Sequence, residues 1–162
     1  MNFVKDRFLK PGLIHSVGVA NYLVLLDGKF AGGFIYTLPS LPYGGINLHN
    51  SLYLLSDFSV SGRRRLSKLI CMLAANEEPI HGLDVRRVQR TEWLATTAFT
   101  DQPVSMKYHR GTGWELISRK PGMLNYATRV RRESVQAVYG EWYRKHWGKG
   151  HDSVHSSALH HA

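Results

Sequence analysis

Residues 51–73 read SLYLLSDFSVSGRRRLSKLICML, an apolar run that stops at a basic turn and gives way at once to helical spacing. Leu52, Tyr53, Leu54, Leu55, Phe58 and Val60 suit a buried strand, whereas Leu66, Leu69, Ile70 and Leu73 recur at the three- and four-residue offsets of one helix face. Between the two runs stand Gly62 and the consecutive Arg63, Arg64 and Arg65. A helix start carries unpaired N–H groups and the positive end of the helix dipole, so this turn offers a seat to a pyrophosphate. It reads equally as a solvated basic loop, because most charge runs bind nothing specific.

The chain has 162 residues, of which 43% are hydrophobic, enough for one globular domain with a real core. No apolar run reaches the roughly 18 residues that span a bilayer, and the N-terminal MNFVKDRFLKPG scatters charges where a signal peptide is apolar. The expectation is a cytoplasmic protein without membrane contact. Cys71 is the single cysteine, which excludes an internal disulfide, and its place beside Ile70 and Met72 reads as a buried, inert thiol rather than a nucleophile. Lysine and arginine number 21 against 12 acidic residues, a formal charge of +9 that favours polyanionic partners, nucleic acid or a phosphorylated cofactor. The positive residues cluster at Arg63 to Arg65 with Lys68, at Arg86, Arg87 and Arg90, at Arg119 and Lys120, and at Arg129, Arg131 and Arg132.

Upstream, NYLVLL, Asp27-Gly28 and KFAGGFIY form a hairpin pattern, since both central residues of a type I′ turn need positive φ. A Pro- and Gly-containing loop follows over residues 38–50, with Tyr43 and His49 in it. Downstream, residues 76–82 read as a break and residues 85–99 as a second strand centred on Trp93, Leu94 and Ala95. Thr100 or Asp101 then caps a short helix with Pro103 in its first turn, Gly111 to Gly113 end it, and residues 114–118 make a final strand. A terminal helix is expected over residues 127–147, with Val130, Val135, Val138, Trp142 and His146 in phase and Arg131, Arg132, Arg144 and Lys145 on its other face. Residues 148–162, rich in Gly, Ser and His, read as a disordered tail. The result is a single α/β (α+β) domain over residues 1–147, a mixed, mostly antiparallel twisted sheet flanked by helices.

That order, with a basic turn between a central strand and its helix, resembles the GCN5-related N-acetyltransferase (GNAT) fold. The family's loop has the form Arg/Gln-x-x-Gly-x-Gly/Ala; here it reads Arg63-Arg64-Arg65-Leu66-Ser67-Lys68, with Leu66 where the family prefers glycine. The resemblance implies acetyl-CoA as cofactor, its pantetheine along the strand at Phe58, Ser59 and Val60, and its pyrophosphate on the loop from Arg63 to Lys68. Within that superfamily the chain is similar to the Mom-like phage proteins, which modify adenine in DNA and protect it from restriction. The segments that carry this likeness are Ala98-Phe99-Thr100-Asp101, Met106-Lys107-Tyr108 and Gly113-Trp114. It implies DNA as partner, the host-cell cytoplasm as the site of action, iron as an additional cofactor, and leaves a homodimer open.

Acyl transfer to an amine needs a deprotonated amine, a polarised carbonyl and a proton for the departing thiolate. Tyr108 stands where acetyltransferases often hold the tyrosine that supplies that proton, and its phenol stays protonated to about pH 10; packing against the sheet is its alternative role. Asp101 reads as a base, a metal ligand or a helix cap, and Ser105, with Tyr108 on the expected short helix, is a further catalytic candidate. Backbone N–H groups near Ser59 and Val60 are candidates to polarise the carbonyl, and Asp57 is expected to have an arginine partner. No H-x-x-H or Cys/His ligand pair occurs in the body of the chain, so metal ligands stay unassigned; His15 and His49 are the histidines best placed for a cleft. Arg86, Arg87, Arg90, Arg129, Arg131 and Arg132 are candidates for DNA phosphate contact. Adenine must leave the stack for such chemistry, and Tyr36, Tyr43, Trp93 and Trp114 are candidate walls for a flipped base, with core packing as the alternative for each.

Overall fold

The computed structural model describes residues 18–40, 46, 48–60, 65–102 and 111–146. Six strands form one sheet in the order β1-β2-β3-β4-β6-β5: β1 (Ala20–Leu26), β2 (Lys29–Thr37), β3 (Ser51–Ser59), β4 (Trp93–Ala98), β5 (Glu115–Lys120) and β6 (Met123–Arg129). Among the described residues three α-helices accompany them, α1 (Leu66–Ala74), α2 (Glu77–Arg87) and α3 (Val135–His146). All pairings are antiparallel except β3 with β4. The expected class therefore holds.

The β1–β2 hairpin turns through Asp27 at φ 51° and Gly28 at φ 73°, the left-handed pair that a type I′ turn requires. At Gly32 a side chain is excluded: a Cβ there would stand 2.3 Å from the Phe58 carbonyl oxygen, so glycine lets β2 and β3 approach. Tyr36 is fully buried, and its hydroxyl donates to the Ala74 carbonyl at 2.5 Å, tying β2 to the end of α1. Burial, reinforced by Tyr22, pushes its phenol well above its ordinary value.

α1 is buried along almost its whole surface because it lies between the sheet and α3, where a helix must be apolar all round. Leu66, Leu69, Ile70 and Met72 join Phe34, Leu52, Leu54, Leu94, Tyr126 and, from α3, Val138 and Trp142 in one core. Cys71 has no exposed surface, as expected, and its thiol donates to Asp57 Oδ2 at 3.2 Å. Asp57 thus meets α1 through a thiol.

Two elements differ from the sequence reading. The stretch read as a break and the start of a strand is helix α2: Asn76 accepts from the Glu78 N–H at 2.9 Å as its N-cap, Glu77 and Glu78 occupy the first turn and Arg86 and Arg87 the last. Pro79 sits in that first turn, where a helix needs no amide from it. Second, the expected terminal helix begins eight residues late, because Met123–Arg129 is strand β6, paired with β4 and folded onto β5 through a turn with Gly122 at φ 69°. Ser134 caps α3 instead, accepting from the Ala137 N–H at 3.1 Å. The chain between β6 and α3 is stitched to the α1–α2 junction: the Arg131 N–H donates to Ala75, and the Glu77 N–H donates to Arg131. Buried Asn76 adds a side-chain bond to the Glu133 carbonyl.

Candidate active site

The parallel pair β3/β4 is joined at only three positions, Ser51 with Trp93, Leu52 with Leu94 and Tyr53 with Ala95. Beyond them the strands part: β3 runs on to Ser59 beside β2, and β4 runs on to Ala98 beside β6. At the fork, the Thr96 hydroxyl donates to the Leu54 carbonyl at 2.8 Å, a side chain in the place of the next rung. One residue further, β3 carries a bulge at Leu55, since Ile35 faces Ser56 while Tyr36 faces Leu54. Fork and bulge together open a gap at the C-terminal ends of the two central strands, the usual site of ligand binding in sheets of this type.

The register decides which backbone groups face that gap. The Val60 N–H donates to the Ala31 carbonyl at 2.9 Å, so by ladder alternation Phe58 and Val60 bond toward β2. Ser59 and Asp57 then direct their N–H and C=O groups toward β4. Of the amides near Ser59 and Val60, the sequence reading is therefore corrected for Val60, whose N–H is committed to β2, and Ser59 is the one aimed into the gap.

α1 starts at the same end of the sheet. Its N-cap, Arg65, takes the left-handed conformation (φ 66°, ψ 15°) and makes no side-chain capping bond. The Arg65 carbonyl instead accepts from Lys68 N at 3.1 Å, Leu69 N at 3.4 Å and the Trp142 indole at 3.0 Å. The amides of Leu66 and Ser67 emerge from the helix start, where an α-helix has no carbonyl to offer them. Leu66 puts its side chain into the core, 1% exposed, so its contribution here is its amide. Lys68 is 7% exposed, and its ammonium lies close to that of Lys145. Burial first, then the charges of Lys145 and Arg65, hold its pKa below the ordinary lysine value against the upward pull of Glu141. Lys145 was legible only as part of a polar helix face. Its position depends on the Trp142 bond, which no local pattern announces.

Arg63, Arg64, Ser105 and Tyr108, with His15 and Tyr43, lie outside the described residues. Asp101 Oδ1 accepts from the Gly122 N–H at 2.6 Å, holding the β5–β6 turn, and the Gln102 N–H donates to Thr100 Oγ1. Among the described residues no cluster of three or more His, Cys, Asp or Glu side chains is placed to hold a metal ion, and no helix is long and apolar enough to cross a membrane. The acyl-CoA that such a site implies finds suitable chemistry in the gap-facing Ser59 amide, the open start of α1 and the cationic pair beside it.

The arginines picked for phosphate contact lie elsewhere, and several are taken up internally. Arg131, with an 18% exposed side chain, pairs with Glu141 at 3.1 Å and Glu133 at 3.5 Å. Glu133 is held below the usual carboxylate range by its own backbone N–H above all, against the opposing effect of burial, with Arg131 adding to the lowering. Arg87 donates to Thr91, Gln89 and the His49 carbonyl. Both tie elements of the fold together. Arg90 pairs with Glu77 at 3.3 Å, Arg129 lies 4.5 Å over the Trp93 ring, and the exposed Arg86 bonds the Gly82 carbonyl of its own helix. Arg129 and Arg132 border a cleft of about 990 Å³ that also holds Trp93, Glu115, Glu133 and Glu141. Of the candidate base walls, Tyr36 and Trp114 belong to the core and Trp93 to this cleft.

No curated protein matches the chain. Crystal structures similar to it include a Staphylococcus aureus Mu50 protein assigned as an acetyltransferase, at 9% identity and a TM-score of 0.45 over 68% of this chain and 72% of that one. An acetyltransferase from Thermus thermophilus follows at 11% identity and a TM-score of 0.40, covering 67% of this chain and 62% of that one. An aminoglycoside 6′-acetyltransferase type Ii gives 10% identity and a TM-score of 0.40 over 70% of each chain. Residues 1–147 match the family described as phage GNAT-like domain, and with the forked sheet and open helix start already in place, the chain belongs to that family.

Proposed function

We propose that this protein is an acyl-CoA-dependent N-acyltransferase that modifies adenine in phage DNA, in the manner of the Mom-like proteins. The observation that carries the acyltransferase part is the parting of β3 and β4 beside an uncapped helix start. The adenine part rests on the likeness of the segments around Asp101, Tyr108 and Trp114 to the Mom-like group and on the charge of +9. Residues 1–147 form the catalytic domain in this reading.

Bound acetyl-CoA supplies an acyl thioester. The Ser59 N–H, turned into the gap, donates to a carbonyl oxygen placed there. Leu66 and Ser67 present backbone amides to phosphate oxygens, and Arg63 to Arg65 add charge. Tyr108 is the acid of the reaction, a role open to a phenol because a free one loses its proton only near pH 10. Asp101, engaged with Gly122, shapes the wall formed by the β5–β6 turn.

Mass spectrometry of DNA from cells expressing the protein tests the acceptor: modified adenine is expected, absent with Tyr108→Phe. Unmodified DNA together with acetylated protein or small-molecule amines would move the acceptor and keep the chemistry. A second reading, a non-catalytic GNAT-like module, is favoured by one observation: the left-handed loop position is filled by Arg65, a non-glycine residue, with Leu66 buried behind it.

A further inference from the structure

We propose that β1 is a dimerisation edge: two copies of this chain pair their β1 strands antiparallel and continue one sheet across the contact. The inference is independent of the acyl-CoA reading, because it concerns the rim of the sheet and not the fork. Among the described residues the sheet ends in β1 on one side and β5 on the other, and the two strands differ. β5 is guarded: Glu115, Arg119 and Lys120 stand exposed along it, and a bulge between Leu116 and Ser118 breaks its regularity. β1 reads ANYLVLL, without a charge or a proline, and exposes Leu23 at 54% and Leu25 at 59%. An apolar edge of seven residues without those guards is a template for another strand.

The register shows what this edge offers. Leu26 and Lys29 close the two-residue turn, the pair that a type I′ hairpin joins by hydrogen bonds, so Tyr22, Val24 and Leu26 direct their N–H and C=O groups to β2. The extra residue of the one irregularity, Ala31, lies on β2 and leaves the alternation of β1 intact. Asn21, Leu23 and Leu25 therefore turn backbone groups outward, and the two leucines share one exposed face.

The occupant that fits is a second copy. About Val24 the strand is self-complementary: in a two-fold antiparallel pair Leu23 of one copy meets Leu25 of the other, Tyr22 meets Leu26, and Val24 meets its own counterpart. The two leucines of each copy then cover those of the other. On the opposite face an apolar notch of about 260 Å³, bordered by Val24, Leu26, Leu73, Val135 and Tyr139, lies beside the same edge, where an added strand closes it. Charge favours the same place, since two copies at +9 repel over most of their surfaces and meet best along an uncharged strip. The approach to β1 leads elsewhere: a Cβ at Gly18 would collide with the Ile35 side chain and the Tyr36 carbonyl, so the backbone enters β1 pressed onto β2 and not along the free edge.

Sedimentation velocity on the nuclease-treated full chain tests this, with wild type, Leu23→Lys, Leu25→Lys and, at an exposed apolar position of α2, the control Val85→Lys. Wild type is expected to dimerise with a Kd of about 10 µM, each leucine variant to weaken this at least about a hundredfold, and Val85→Lys to match wild type. Val24→Cys is expected to cross-link two copies on mild oxidation, because opposed residues of a non-hydrogen-bonded pair lie about 4.5 Å apart at Cα. Wild type that stays monomeric throughout the micromolar range overturns the proposal and leaves the edge to residues 1–17 or to another protein. A dimer that survives both leucine variants also overturns it, by placing the contact on another face. Both leucines are exposed, so unchanged thermal midpoints are expected; should one variant fail to fold, the other and the Val24→Cys cross-link carry the result.

Discussion

Basic residues gather in two regions near strand β4, the start of α1 and the surroundings of Trp93, and they are held differently. At the start of α1, Lys68, Lys145 and Arg65 act on one another, and Glu141 opposes them. Around Trp93, Arg90 has Glu77, Arg131 has Glu133 and Glu141, and Arg129 has the Trp93 ring. Both regions look alike as clusters of basic letters. Cations matched by carboxylates or rings hold a structure together, and the second region is built that way.

The comparison breaks most visibly at chemistry. If the parting of β3 and β4 is the reaction centre, Tyr108→Phe lowers turnover by at least about a hundredfold while CoA affinity stays within about twofold, measured as single-turnover rates beside calorimetry. Comparable turnover would take Tyr108 out of the mechanism. Next in size is Arg131→Met, expected to cost about 1 kcal/mol in urea unfolding, because it removes the partner of Glu133 and Glu141, both of which remain solvated. A phosphate-contacting Arg131 would instead leave stability unchanged and lower the salt dependence of DNA binding. Lys145→Ala, at an exposed position of α3, should change stability by less than about 0.5 kcal/mol in the same assay.

A pH experiment sharpens the contrast further. Lys68 has a lowered pKa in the folded protein, whereas the unfolded chain keeps its proton up to near 10.5. Between those limits the unfolded chain binds more protons, so stability rises with pH there, and the full penalty applies below the folded pKa. Lys68→Met should therefore exceed wild type in stability at neutral pH, with the advantage shrinking as pH climbs toward 10.5. Tyr36 works oppositely, since its raised pKa costs stability once the unfolded phenols ionise above 10.0, but it is common to both proteins and drops out of the difference. An advantage that does not vary with pH would mean that Lys68 is no more burdened than a surface lysine. A last effect is remote from both regions: Val88 closes α2 in the left-handed conformation at φ 51°, 93% exposed, and Val88→Gly should add about 1 kcal/mol.

The sequence reading carries furthest where information is local. Asp27-Gly28 specifies its own turn, and residues 51–73 specify strand, turn and helix through period and glycine alone. α2 escaped because Pro79 and Gly82 look like a break, although Asn76, the acidic first turn and the basic last turn spell a capped helix. β6 escaped because MLNYATRV alternates only weakly and adjoins a helical pattern, and its pairing with β4 and β5 is what makes it a strand. The open start of α1 was legible as a basic turn. The fork was not, since the register at which two parallel strands stop pairing is written in neither strand. Nor was Lys145, which reaches the site only through the tertiary bond from Trp142 to Arg65.

The measurement that reaches the central claim most directly is a calorimetric titration of the purified protein with acetyl-CoA and CoA. Micromolar binding that is lost in the Arg63/Arg65 double alanine variant is the predicted result, and it places the cofactor at the start of α1. Absence of binding in the wild-type protein would contradict the account and leave a GNAT-like fold that holds its excess charge for another partner.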